Sequence, residues 1–251
     1  MTTSYQIESW AKSDVGLIRK NNEDTYRALL RENFFIIADG MGGHKAGEIA
    51  SAKTVEYMCA AIQKLFLSSS NTLKIEDIKS QIVSVIENTN LWVHHLGSQN
   101  PSCRGMGTTL CSALFFNKFI VYSHVGDSRI YRFRDGLLQQ LTQDHTNLYP
   151  SPLVETTLES LNTVSFSRKV LSQAIGTSIT VIPEVDKEVV KPGDLYLLCS
   201  DGLSDLVSNE IIAENLANGQ NLKEITNTLI ECAKAKGGHD NITLVLIRLK
   251  K

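Results

Sequence analysis

Residues 110–125 read LCSALFFNKFIVYSHV. Two runs rich in apolar, aromatic and β-branched side chains flank Asn117-Lys118, a link so short that the chain must reverse on itself. The next segment repeats the device, with IYRFR at 130–134, then Asp135-Gly136, then LLQQL at 137–141. Asp-Gly between strands of matching length is a hairpin turn. Successive hairpins build antiparallel sheet. Further strands are expected at 184–190 and 195–199, on either side of Lys191-Pro192-Gly193-Asp194, and at 242–248.

Outward from these hairpins the period changes. From Ile49 the apolar positions Ala52, Val55, Cys59, Ile62 and Phe66 recur at helical spacing until SSSNT at 68–72 breaks the pattern. A second helix is expected from about Ile75 through Ile78, Ile82, Val85 and Ile86 toward His94, ending by Gly97. Helical pattern returns between Asn209 and Lys236. Helices early and late around a run of hairpins give an α+β fold on antiparallel sheet rather than a βαβ repeat. Neither GxGxxG nor GxxxxGK[ST] follows a strand, so no glycine loop cradles phosphate here. The stretch 145–169 is polar, turn-rich and weakly periodic, and irregular chain of that length is usually functional or mobile.

With 251 residues, 42% of them apolar, the chain can bury a core as one compact domain over 1–251. A net charge of -2 gives no electrostatic footprint for nucleic acid or for an anionic membrane surface. The start, MTTSYQIESW, has no basic segment followed by an apolar one, and runs such as FFIIA and LYLLC are far below spanning length. A cytoplasmic location is expected, without membrane or nucleic acid as a partner. Cysteines at 59, 103, 111, 199 and 232 are an odd number with no CxxC pair, which reads as buried reduced thiols.

Four aspartates sit close to glycine where an apolar strand ends or begins: Asp39 in FFIIADG, Asp127 in YSHVGDSR, Asp201 in YLLCSDG and Asp240 in GGHDNITLVL. Asp-Gly is in itself an ordinary turn dipeptide, as Asp135-Gly136 illustrates. Asp39 and Asp201 instead end apolar strands and lead toward helices, which would hold their carboxylates rigidly at the rim of a sheet. Gathered carboxylates repel one another unless a cation neutralises them, and an all-oxygen set selects Mg or Mn over zinc. The histidines form no ligand motif. His94 and His95 lie on an expected helix and His124 inside a strand, where packing or surface roles are the ordinary reading.

Near the start, Arg19 is followed by Asn21-Asn22-Glu23-Asp24. This is either a solvated charge cluster or, if the loop reaches the aspartates, a guanidinium placed to clamp phosphate oxygens. The segment DGMGGHKAGEIAS joins Asp39 to His44 and Glu48 just before the first helix. Gly40 could offer its carbonyl to a metal, and Gly42-Gly43 could turn the loop tightly. Glu48 also reads as a first-turn acid favoured by the helix dipole, and His44 as an exposed loop residue.

Taken in order, SDVGLIRKNNED, DGMGGHKAGE, GMGTTL, GDSRIYR, LTQDHT, VLSQAIGT, CSDGLSD and GGHDNITLV resemble the metal-dependent protein phosphatases of type 2C, particularly their small single-domain bacterial branch. The resemblance implies a central β-sandwich of two antiparallel sheets flanked by helices, with a binuclear Mn2+ or Mg2+ centre at one end. It makes Asp39 the carboxylate bridging both metals, Gly40 a backbone-carbonyl ligand, and Asp201 and Asp240 further ligands. Asp127 matches a residue that helps hold a third, weaker metal. Glu23 and Asp24 match outer-shell groups orienting water, and Arg19 matches the phosphate-binding arginine. The implied activity is hydrolysis of phosphoserine and phosphothreonine in protein substrates by a water activated at the metal pair, opposing a serine/threonine kinase. Met41 stands where the animal members carry histidine; the leaving oxygen's proton comes from metal-bound water or from a histidine, for which His44 is a candidate by position. Residues 145–169 correspond to the family's flap and match it poorly. Two other readings stay open: a phosphoprotein-binding regulator without turnover, and a hydrolase of small phosphomonoesters.

Overall fold

The computed structural model describes residues 5–41, 46–68, 73–150, 167–218 and 221–250. The chain opens with β1 (Gln6–Asp14), β2 (Asp24–Leu29) and β3 (Phe34–Met41), then forms two long helices, α1 (Ala46–Ser68) and α2 (Ile75–Gln99). A short β4 (Gly107–Thr108) leads into β5 (Leu110–Phe116), β6 (Phe119–Val125), β7 (Arg129–Arg134) and β8 (Leu137–Gln140). There follow β9 (Thr146–Pro150), β10 (Ser167–Leu171), β11 (Glu184–Val189) and β12 (Leu195–Cys199). The chain then runs through α3 (Asp201–Ser204), α4 (Asn209–Asn218), α5 (Leu222–Ala235) and β13 (Ile242–Lys250).

The expected hairpins are present. β5 pairs with β6 from Leu110↔Val125 to Phe116↔Phe119, turning at Asn117 with φ 53°. The β7–β8 turn has φ 51° at Asp135 and 78° at Gly136, the two positive values that a type I′ turn demands. Among the described residues the strand pairs are antiparallel; two large sheets, β1-β13-β12-β7-β8 and β11-β6-β5-β3-β2 with β4 added beside β3, are accompanied by a separate β9–β10 ribbon.

Alternation along the strands stacks these sheets into four layers. In β3, Phe34, Ile36 and Ala38 pack toward α1 and α2, while Phe35 and Ile37 meet Ile130, Tyr196, Leu198 and Val245 of the other sheet. In β13, Val245, Ile247 and Leu249 enter that same inter-sheet core, and Leu244 and Leu246 pack under α4 and α5. The period-two pattern of 242–248 therefore does not separate core from solvent: six consecutive residues from Ile242 are buried, because a helical layer covers the sheet's outer face.

Two details depart from the expected elements. The periodicity ends α2 by Gly97, but the helix runs on to Gln99, and Gly97 is buried where a Cβ would stand 3.2 Å from the carbonyl oxygen of Cys103. That glycine marks close approach of the following turn, not a helix end. The weakly periodic stretch 145–169 is rooted in a ladder, β9 against β10, running from Thr146↔Leu171 to Pro150↔Ser167; residues 151–166 lie outside the described residues. Cys59, Cys103, Cys111 and Cys199 are buried and Cys232 half-buried, all as free thiols. Among the described residues no helix is long and apolar enough to cross a membrane.

Candidate metal centre

Antiparallel pairing brings one set of strand ends together. The start of β2 lies against the end of β3, with Asp24 directly opposite Asp39, and the end of β12 lies against the start of β13. Asp201 follows β12, Asp240 precedes β13, and Asp127 lies between β6 and β7. Asp39 is held by its own backbone: its N–H donates to Oγ1 of Thr109 (3.0 Å), and its carbonyl accepts from the Thr109 N–H (2.8 Å) and the Thr108 hydroxyl (2.8 Å).

The carboxyls are close enough to oppose one another's ionisation. Burial pushes Asp39 well above the ordinary carboxylate range, and the charges of Asp24, Asp201, Asp240 and Asp127 push it further. Burial, then Asp127, Asp205 and Asp240, carries Asp201 up to about 7. Asp24 is pushed up to about 6, again first by burial, although the Ser200 hydroxyl donates to its Oδ2 at 2.8 Å. Oδ1 of Asp24 and Oδ1 of Asp201 are buried with no hydrogen-bond partner among the described residues. Buried oxygens left without donors, among carboxylates that repel each other, suit hard divalent cations such as Mg2+ or Mn2+.

Arg19 reaches this rim. One of its terminal nitrogens donates to Oδ2 of Asp240 at 2.7 Å, while the side chain stays 52% exposed, so the loop does reach the aspartates. Glu23 is shifted upward, first by burial and then by Asp240 and Glu48, against the lowering pull of Arg19. Gly40 donates its N–H to the Glu23 carbonyl at 3.2 Å. A Cβ on Gly47 would overlap Oε2 of Glu23, so glycine there lets the first turn of α1 seat against the site. Glu48 is exposed in that first turn, in keeping with the helix-dipole reading. His44, with Gly42 and Gly43, lies outside the described residues.

Sequence patterns miss Asn241. Its Oδ1 accepts from the Glu23 N–H (2.8 Å), and its Nδ2 donates to the carbonyls of Val15 and Asn21 (3.0 Å each). One amide therefore stitches the Arg19 loop to the start of β13. The only local signal is an asparagine directly after Asp240 at a strand entrance.

Among the histidines, His94 takes the expected packing role, with Nδ1 3.0 Å from the Gly176 carbonyl. His124 does not. It is buried beside His145, ring centroids 4.5 Å apart, and a ligand atom from each falls within 4.8 Å of the others and of Glu184. Three side chains able to ligate a metal thus come together where no motif is readable, because they are distant in sequence.

The protein phosphatase 2C family model matches residues 19–246. The chain is 32% identical over 239 residues to a putative protein phosphatase 2C-type protein of Streptococcus pyogenes, covering 94% of this chain and 95% of that one. It is 38% identical over 237 residues to the serine/threonine protein phosphatase PstP of Mycobacterium tuberculosis, covering 94% of this chain and 44% of that longer protein. The solved catalytic domain of PstP in complex with two manganese ions superposes with a TM-score of 0.78 at 34% identity, over 99% of this chain and 100% of that one.

Proposed function

The chain belongs to the protein phosphatase 2C family, and from that premise we propose that it removes phosphate from phosphoserine and phosphothreonine of other proteins at the rim where β3, β12 and β13 meet. The observation that carries this reading is the buried carboxylate cluster, in which one oxygen each of Asp24 and Asp201 has no hydrogen-bond partner among the described residues. Asp39, the Gly40 carbonyl, Asp201 and Asp240 would hold two Mn2+ or Mg2+ ions, with Asp127 beside them for a third. When bound, such a pair polarises water and offsets the charge of a phosphoryl group.

The chain's own residues do the rest. The Arg19 guanidinium, tethered at one nitrogen by Asp240, has exposed donors left to receive phosphate oxygens. Glu23 and Asp24 accept hydrogen bonds from the attacking water and orient it for in-line displacement. His44 is assigned as donor of the proton that the departing serine or threonine oxygen needs, from its place in DGMGGHKAGE. We further assign the chain as one catalytic domain over 1–251 with its flap at 145–169, located in the cytoplasm and acting against a serine/threonine kinase; its free thiols agree with that location.

The test is hydrolysis of a phosphothreonine peptide by the purified chain with MnCl2, with MgCl2 and with excess EDTA, run beside nucleotide substrates. Turnover of the peptide that requires metal supports the reading. A folded but inactive protein points instead to a phosphoprotein-binding regulator, and a strong preference for nucleotides to a small-molecule phosphomonoesterase.

A further inference from the structure

We propose that His124, His145 and Glu184 form a second metal site, of the nitrogen-and-carboxylate kind that suits Zn2+, independent of the carboxylate centre. The three residues arrive from separate elements. His124 and Glu184 are register partners across the β6–β11 ladder. His145, just ahead of β9, is brought over by its backbone: its N–H donates to the Gly126 carbonyl (2.9 Å), and its own carbonyl accepts from the Ser172 N–H (2.9 Å).

The spacing fits a small tetrahedral ion. Nε2 of His145 lies 3.3 Å from Oε1 of Glu184, and Nε2 of His124 lies 3.9 Å from Oε2 of the same carboxylate. Zinc with bonds of about 2.0–2.1 Å places neighbouring ligand atoms roughly 3.3 Å apart. The two imidazoles are buried while the Glu184 side chain is 55% exposed, which gives an entry path from solvent. The donor chemistry also separates the two sites: two imidazoles and one carboxylate favour zinc-class ions, whereas the aspartate cluster favours hard ones.

Two hydrogen bonds compete with such an ion. Nε2 of His124 donates to the Gln143 carbonyl at 2.7 Å, and the Gly126 N–H donates to Nδ1 of His145 at 3.3 Å, beyond the usual range for this bond. Both arrangements put the ring proton on Nε2, so an ion binding there shifts that proton to Nδ1 of the neutral ring, which at His145 breaks the bond from the Gly126 amide, one residue before Asp127. Loading the site braces the root of β9 against the β6–β11 edge and touches the loop that carries Asp127.

The experiment compares the full-length Asp39→Asn protein with the doubly substituted Asp39→Asn/Glu184→Gln and Asp39→Asn/His145→Gln proteins, so that the carboxylate centre is impaired throughout. Zn2+ is titrated calorimetrically, and Co2+ replaces it as a spectroscopic probe. The expected result is one Zn2+ bound by the Asp39→Asn protein, with visible Co2+ bands of tetrahedral nitrogen–oxygen coordination. Each second substitution should weaken binding by about tenfold or more, since even a partner outside the ligand set is worth that much. Glu184 is exposed, so its glutamine variant keeps the fold, which circular dichroism verifies. Equal Zn2+ binding by all three proteins, or none by the Asp39→Asn protein, overturns the site and leaves a hydrogen-bonded clamp.

Discussion

Replacing Asp201 by asparagine should make the metal-stripped protein more stable while impairing its hold on metal. An Asp201 carboxyl that ordinarily titrates at 3.8 is pushed up to about 7 in the fold, chiefly by burial and then by Asp127, Asp205 and Asp240. The unfolded chain releases this proton near 3.8, and the folded chain keeps it until about 7. Between those values the folded state binds more protons, so stability falls as pH rises through the window and levels off above it. At about 1.4 kcal/mol for each tenfold difference, the ionised group costs about 2 kcal/mol at pH 5 and about 4 kcal/mol at pH 8.

Asparagine keeps the shape and removes that charge. It also removes a favourable acid from the first turn of α3, worth about 0.5 kcal/mol, so the net gain at pH 8 is about 3.5 kcal/mol. Urea unfolding in EDTA at pH 5 and pH 8, followed by far-ultraviolet circular dichroism, measures both points. A variant that is no more stable than wild type at pH 8, or whose advantage fails to grow between the two pH values, refutes the claim that repulsion among buried carboxylates strains the stripped site. Mn2+ at about a thousand times the wild-type dissociation constant should reverse the order, because it adds about 4.1 kcal/mol to wild type.

Asp39→Asn should nearly abolish peptide dephosphorylation at wild-type circular dichroism, since one shared charge is lost and the backbone bonds of Asp39 remain; undiminished turnover would refute its bridging role. Arg19→Ala should raise KM about tenfold while kcat changes little, because the half-exposed guanidinium binds phosphate in ground and transition states alike; steady-state kinetics showing the loss in kcat alone would contradict this. Gly47→Ala places a methyl group onto Oε2 of Glu23, so activity should fall markedly and stability by about 1–3 kcal/mol, and an unaffected enzyme would show that Glu23 is not wedged there. Asp194 is buried, takes two bonds from the Arg134 fork at 2.7 and 2.6 Å and one from the Lys191 N–H at 2.7 Å; Asp194→Ala should cost about 3 kcal/mol in denaturant unfolding, and a loss below about 1 kcal/mol would mean the pair adds little.

The parts of this fold that sequence makes legible are those whose cause is local. Asn117 and the Asp135-Gly136 pair turn the chain because their own backbones tolerate positive φ, and the runs on either side carry strand-forming side chains, so β5 to β8 can be bounded within a residue or two. The same holds for Asp39 and Asp201, whose place at the end of an apolar strand is written in the five residues before them. What alternation along β13 cannot reveal is that both faces are covered, since the second cover, α4 and α5, comes from a separate stretch of chain that packs over its outer face. Gly97 misleads for the same reason: its meaning lies in the Cys103 carbonyl pressed against it, not in the end of a helical pattern.

The functional rim divides along that line as well. Its acids are legible one by one, but what joins them is not. Asn241 bonds to groups more than two hundred residues earlier, at Val15, Asn21 and Glu23, and His124 meets Glu184 only because β11 chooses β6 as its neighbour. An asparagine after an aspartate, or a histidine in a strand, has an ordinary local explanation that competes with any functional one. It acquires its role when antiparallel pairing gathers strand ends from both sheets at one rim, so the connections of a site become visible one step later than its carboxylates.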